Sequence, residues 1–280
     1  MIVFVNNEFV PAEKSALSPF DRGFLFADGV YESIRTYNKK LFRYEDHLER
    51  LKRSLREIRL DFKELGSIKN IISELIKKNE LGNEVLIYLQ ITRGTVFPRT
   101  HSFPKEKTSP TIFISVQELK ENIEEQINGV KVILQEDVRW LRCDIKSTSL
   151  LPVVLASQKA TEENAAEAIL VRDGVITEGT HTNFFAVKNE TLYTAPKSHL
   201  ILEGITRKVV LELCEKFKID FREEFINKDD LKSFDEFFIT STTKEITPVT
   251  SIDYWTINDG NPGKITMSLQ SVFKKLVEDY

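Results

Sequence analysis

Lys146 sits in the run VRWLRCDIKSTSL, residues 138–150, between two apolar stretches. Before it, Val138, Trp140, Leu141 and Ile145 predict a strand built into a core. After it, an apolar stretch predicts a helix over 152–163. An ammonium at the mouth of a buried element has to be paired, desolvated or chemically consumed. The chain carries 39 lysines and arginines, most of them surface decoration, so the setting and not the residue type singles this one out.

Other residues would serve a phosphate-bearing ligand. LEGITRKVVLELCEKF starts an amphipathic helix at Gly204, Ile205 and Thr206, where free backbone N–H groups and the positive end of the helix dipole favour an anion. A plain N-cap by Thr206 would account for the same residues. FITSTTKEITPV brings hydroxyls at Ser241, Thr242 and Thr243 straight after a strand, where ligands sit in such folds, although hydroxyl clusters also build ordinary turns. Arg50 lies on the flank of a predicted helix, where its guanidinium either reaches a buried phosphate in bidentate fashion or coats a surface. Glu178, in VITEGTHTNFF, follows an alternating strand and precedes Gly179, which turns it inward. An inward carboxylate usually finds an arginine or a backbone amide. Beside a pyridine ring it would keep the ring nitrogen protonated and the ring electron-withdrawing. A lysine, a phosphate cradle and such a carboxylate are together what pyridoxal phosphate chemistry requires.

The elements that must position these residues follow from periodicity and turn chemistry. MIVFVNNEFV predicts a hairpin about Asn6-Asn7. RYEDHLERLKRSLREIRL places Leu48, Leu51, Leu55 and Ile58 on one helical face, and SIKNIISELIKKNEL repeats that pattern up to a stop at Gly82. EVLIYLQITRG and PTIFISVQEL are strands flanking a long polar loop, TVFPRTHSFPKEKTS, of the kind that more often carries function than decoration. KENIEEQING is poor in large apolar residues and predicts a linker. Strands follow at VKVILQEDVRW, EAILVRDGVITEG, NFFAVKNETLYTA and EFFITST, with helices over 152–163 and at ITRKVVLELCEKF. The expected class is α+β in two domains: a small one over 1–119, a linker over 120–128 and a larger one over 129–280.

With 280 residues, 41% hydrophobic and 29% charged, the chain has material for real cores. A net charge of −4 argues against nucleic acid and anionic membrane as partners. Cys143 and Cys214 form no metal or disulfide spacing, which suits packing roles in a reduced, cytoplasmic compartment. No signal peptide and no run of membrane-spanning length is expected.

DGVYE, HLERL, TRG…PRTH, RWLRCDIKS, TEG…TN, GITR and TSTTKEITPV, in that order, make the chain resemble the fold-type IV pyridoxal-phosphate enzymes. Within that group it is similar to the D-amino-acid aminotransferases. The resemblance runs nearly end to end. It implies a larger C-terminal domain with a barrel-like β core, a homodimer, and pyridoxal 5′-phosphate lying between domains. It makes Lys146 the Schiff-base lysine and proton carrier, and Glu178 the partner of the pyridine nitrogen. Arg50, Ile205 and Thr206 become phosphate ligands together with Thr242, with Gly204 and Ser241 beside them. Leu202 packs on the ring face and Tyr31 stands at the substrate. Arg99 and His101 reach from the neighbouring subunit to the substrate carboxylate. The implied activity is transamination between D-amino acids and 2-oxo acids.

The chain departs from the pattern in places. Thr180, His181 and Thr182 stand where small serines are expected, the loop around Val96 and Phe97 is one residue longer, and Arg35 is an additional cation. These departures bear on substrate preference and leave other readings open: a branched-chain L-aminotransferase, an aminodeoxychorismate lyase, or a phosphate-ligand binding protein with no chemistry.

Overall fold

The computed structural model describes residues 1–120 and 122–280. They cluster into two compact units, the first made of 1–120, 145–149 and 280 and the second of the remainder. Residue 121, within the expected linker, lies outside the described residues. Its neighbours 123–128 are helical, and the five residues around Lys146 belong to the first unit while both flanks belong to the second.

The first unit is a six-stranded antiparallel sheet in the order β2-β1-β6-β5-β3-β4, with β1 Ile2–Val5, β2 Glu8–Pro11, β3 Gly29–Tyr37, β4 Lys40–Leu41, β5 Val85–Thr92 and β6 Thr111–Glu118. Asn6 and Asn7 both take positive φ in the first hairpin, as its turn type requires. Helices α1 Arg22–Phe26, α2 Tyr44–Glu57 and α3 Ile68–Lys78 complete it. α2 and α3 bury Leu51, Leu55, Ile68, Ile72 and Leu75 against Val30, Ile34 and Ile87 of the sheet. α3 ends at Lys78, four positions before Gly82. Asn79 caps it, its side chain donating to Leu75 O and Ile2 O and accepting from Ile2 N, and Glu80 takes the left-handed conformation. An amide that satisfies both the helix end and a neighbouring strand stops a helix as well as glycine does.

The second unit runs α4 Ile123–Asn128, β7 Val130–Glu136, α5 Leu151–Glu162, β8 Glu167–Arg172, β9 Val175–Gly179, β10 Asn183–Lys188 and β11 Thr191–Thr194. It continues with α6 Ile205–Phe217, β12 Phe221–Glu223, β13 Ile226–Asn227, β14 Glu236–Ser241, β15 Glu245–Ile252, β16 Trp255–Thr256 and α7 Lys264–Glu278. The strand order is β12-β11-β10-β14-β15-β7-β8-β9-β13, mixed in direction, with β16 on β15. β9 and β10 are five places apart in that order yet joined by three residues. A flat sheet would separate them by about 24 Å, and a four-peptide link spans about 15 Å at most. The sheet therefore curls into a half-barrel, and Glu178, at the end of β9, stands where it closes.

The strand expected before Lys146 is absent. Val138, Trp140 and Leu141 are exposed, and only Cys143 and Ile145 of that run are buried. The reason lies in Asp137 and Arg139, which fold the chain after β7 into an ion-paired turn. Asp137 Oδ1 accepts from Arg139 Nε at 2.9 Å and pairs with Arg172 at 2.9 Å. Burial works against the Asp137 carboxylate, but its bonds to Arg139 and Arg172 outweigh that and hold it at about 2.

Candidate active site

In the first unit, residues 145–149 are stitched to β3 and α2 by backbone bonds. Lys146 O accepts from Tyr31 N at 2.9 Å and Lys146 N donates to Ser54 Oγ at 3.3 Å. Ser147 bridges Val30, and Thr148 bonds Gly29. The lysine is thus fixed at its backbone while its side chain stays half-buried, with Nζ 4.4 Å from the centre of the Tyr31 ring. Tyr31 stacks on Tyr88 at 5.7 Å, and burial pushes the Tyr88 phenol up to about 12.

Arg50 is buried, and its guanidinium grips Glu32 with two bonds, Nε to Oε1 at 2.8 Å and Nη2 to Oε2 at 2.7 Å. His47 Nδ1 meets the same carboxylate at 2.8 Å. Burial opposes the Glu32 charge, but Arg50 and His47 outweigh it and hold the carboxyl below the usual range. Burial likewise holds the His47 imidazole low against the pull of Glu32. Glu32 aims the Arg50 fork. The sequence carried a sign of this: one acid among buried apolar residues of a strand, with histidine and arginine three apart on the helix packed over it.

Arg99 and His101 lie on the polar loop after β5, both exposed. They gather on one ring: the Arg99 guanidinium lies 4.4 Å from the Phe26 centroid and the His101 ring 5.3 Å from it.

In the second unit, Glu178 is buried and fully engaged. Arg139 Nη1 donates to Oε1 at 2.5 Å, while Asn183 Nδ2 and Leu202 N donate to Oε2 at 3.1 and 3.0 Å. Burial pushes the Glu178 carboxyl up to about 7, against the opposing pull of Arg139. A carboxyl balanced near neutrality can share a proton with a ring nitrogen.

α6 begins at Gly204 with no side-chain cap, so Thr206 is not the N-cap and its hydroxyl is not spent on the helix end. Ile205 and Thr206 are both buried in the first turn. Ser241 ends β14, and its Oγ accepts from Lys244 N at 3.1 Å in the turn that holds Thr242. The next hydroxyl back, Thr240 Oγ1, is buried with no partner among the described residues. An uncapped helix start, a run of hydroxyls and a buried carboxyl near neutrality fit a phosphorylated pyridine.

Asn183 ties these parts together, since the amide that bonds Glu178 also donates to Leu202 O at 2.8 Å. A Cβ on Gly204 would stand 2.0 Å from Asn183 Oδ1. Gly204→Ala is therefore expected to push that amide away, costing about 1–3 kcal/mol of stability and lowering cofactor affinity about tenfold by lost hydrogen bonding. Thermal unfolding and a spectrophotometric cofactor titration check this; wild-type values in both would separate Asn183 from the helix start.

Thr180, His181 and Thr182 surround a second buried carboxylate, Glu167. It accepts from Thr180 N at 3.1 Å, from the Thr180 hydroxyl and from Thr182 Oγ1 at 3.0 Å, and His181 Nδ1 lies 3.2 Å from it. Glu167 holds the link that closes the half-barrel.

The family model described as amino-transferase class IV matches residues 29–252. The chain belongs to that family. Class-IV aminotransferases work with pyridoxal 5′-phosphate, and so does this one. Named relatives include the D-alanine aminotransferases of Staphylococcus epidermidis, 43% identical over 99% of this chain and 98% of that one, and of Bacillus licheniformis, 44% identical over 99% and 97%. Among solved structures, the branched-chain amino acid aminotransferase of Escherichia coli superposes with a TM-score of 0.90 at 25% identity, covering 99% and 94% of the two chains. That of Thermoproteus uzoniensis, solved with norvaline, gives 0.86 at 26%, covering 99% and 94%. Among the described residues no helix is long and apolar enough to cross a membrane, and no cluster of metal-ligating side chains occurs.

Proposed function

We propose that this class-IV aminotransferase moves amino groups between D-amino acids and 2-oxo acids, in a reaction of the type D-alanine + 2-oxoglutarate = pyruvate + D-glutamate. The observation that carries the reading is the pair Arg99 and His101, a guanidinium and an imidazole set on the Phe26 ring. They suit a carboxylate, whereas a branched-chain pocket at that position would be apolar. The identity to D-alanine aminotransferases supports the same choice.

Arg50, Ile205, Thr206 and Thr242 would hold the cofactor phosphate, with Gly204 and Ser241 beside them, and Leu202 would pack on the ring face. When bound, pyridoxal phosphate supplies the carbonyl that takes up the amino group and the electron sink for the substrate carbon. Lys146 Nζ would be the covalent anchor, and it would take the proton from the substrate's α-carbon and deliver it to the cofactor's carbonyl-derived carbon. Glu178 holds a proton at the pyridine nitrogen, and Arg139, Asn183 and Leu202 N keep its carboxyl aimed. Tyr31 borders the path of the lysine. The enzyme works as a cytoplasmic homodimer in which Arg99 and His101 serve the neighbouring subunit. Exposed Phe20, Phe24 and Phe97 in the first unit and Trp140, Leu141, Val154 and Leu155 in the second are the apolar surface such a dimer would cover.

The lysine works from one fixed side, so the α-hydrogen must point to it, and the side holding the carboxylate sets the chirality. Losing a charged hydrogen bond costs roughly 1.5–3 kcal/mol, about ten- to a hundredfold in affinity. Arg99→Ala is accordingly expected to raise KM for D-alanine and D-glutamate by that factor with the cofactor spectrum unchanged. A panel of D- and L-amino acids with 2-oxoglutarate tests the activity itself. Preference for L-valine or L-leucine, or an Arg99→Ala enzyme with unaltered D-activity, would replace this reading by the branched-chain one.

A further inference from the structure

Among the described residues near the polar loop, Arg22 is the least exposed cation, and nothing in the chemistry above uses it. Its side chain is 4% exposed. Asp21 anchors its backbone: that carboxylate caps α1 at Gly23 N, 2.8 Å, and accepts from Thr92 Oγ1 at 2.7 Å and Thr111 Oγ1 at 2.6 Å. Arg22 N itself bonds Gly94 O at 2.9 Å. The start of α1 is thus pinned to the ends of β5 and β6.

From that base the guanidinium turns to the loop. Nη1 donates to Thr100 O at 2.7 Å and to Ser102 O at 3.3 Å, and Nη2 to His101 O at 3.2 Å. Nε is held by Asp28 Oδ2 at 2.8 Å, and Arg93 grips both oxygens of that carboxylate, Nε to Oδ2 at 2.8 Å and Nη2 to Oδ1 at 2.9 Å. Arg22 also lies 4.7 Å from the Phe26 centroid, the ring that Arg99 and His101 share. Residues 99–104 form no helix or strand, so no ladder of backbone bonds fixes where Arg99 and His101 point. Three carbonyls bound by one rigid fork supply that constraint, and a planar guanidinium can make these bonds where a lysine ammonium cannot.

We infer that Arg22, with the Phe26 ring one turn along α1, is a positioning residue that sets Arg99 and His101 for the substrate carboxylate. The inference rests on the carboxylate role proposed for that pair. Arg22 acts through the loop and touches no substrate.

The test uses holoenzyme. Arg22→Lys keeps a charge for Asp28 and loses the fork; Arg93 still pairs Asp28 in the variant. KM for D-alanine is expected to rise about tenfold with kcat within about twofold, the mark of lost binding rather than lost chemistry. The cofactor band and the slow reaction of D-alaninol, which has no carboxylate, should be unchanged. The double variant Arg22→Lys/Arg99→Ala should raise KM by clearly less than the product of the two single effects, because Arg22 acts in part through Arg99 and residues acting through one contact do not add. A wild-type KM in Arg22→Lys, with Arg99→Ala impaired, overturns this inference and leaves the carboxylate assignment standing, as does additivity in the double variant. An unaltered Arg99→Ala enzyme overturns both. If Arg22→Lys yields no folded holoenzyme, Phe26→Leu, which adds and removes no charge but takes away the ring that Arg22, Arg99 and His101 share, carries the same cycle with the same expected and overturning results.

Discussion

Lys146→Ala is expected to leave no measurable transamination while the folded protein still takes up free pyridoxal phosphate weakly. The lysine's backbone bonds to Tyr31 N and Ser54 Oγ survive the substitution, and its side chain is only half-buried. Stability should stay within about 0.5 kcal/mol of wild type. Loss of a general base alone removes about 10²–10⁴-fold in rate, and loss of the covalent anchor comes on top of that. The residues proposed to hold the phosphate are carried by other elements, so weak binding should persist. Three measurements check this: turnover with D-alanine, the borohydride-bleachable visible band, and cofactor retention on gel filtration. Near-native turnover would remove Lys146 from its assigned role.

Glu178→Gln should slow proton abstraction about a hundredfold, the scale found when one preorganised electrostatic partner is removed, with little change in substrate affinity. A neutral amide cannot hold a proton at the ring nitrogen, yet it can still accept from Asn183 and Leu202 N, so the helix start and Leu202 remain placed. Single-turnover rates with D-alanine read the effect directly. Wild-type half-reaction rates would mean that another group protonates the ring. A second readout is pH. Burial holds the carboxyl at about 7 in the folded chain against the ordinary glutamate value of 4.5. The fold therefore binds this proton more tightly than the unfolded chain does. That contribution is full below about 4.5 and is lost as pH rises through about 7. Glutamine does not titrate, so apo wild type should lose stability relative to apo Glu178→Gln across that window. A pH-independent difference in denaturant midpoints would contradict the burial account.

The sequence by itself determined the inventory. Short apolar, β-branched and aromatic runs such as VLIYLQIT and NFFAVK and the helical repeats of 44–57 and 205–217 were legible because strand composition and 3.6-residue spacing are local. So were the asparagine hairpin and the candidate groups Lys146, Glu178 and Thr206. What it misjudged depended on partners far along the chain. The run before Lys146 has the composition of a strand, but Asp137 and Arg139 reach Arg172 and Glu178 and break it into a turn. α3 stops at Asn79 because Ile2, 77 positions away, bonds the same amide. The C-terminal helix α7, Lys264–Glu278, has no counterpart among the sequence expectations.

Only the tertiary structure decided how each candidate is aimed. Arg50 proved to be held by Glu32, Glu178 by Arg139, Asn183 and Leu202, and the Arg99 loop by Arg22. Burial selected those partners: a carboxylate or guanidinium taken from water must find its complement nearby. Which complement lies nearby depends on the curl of a sheet and the crossing of a loop, and neither is written in the spacing of neighbouring residues.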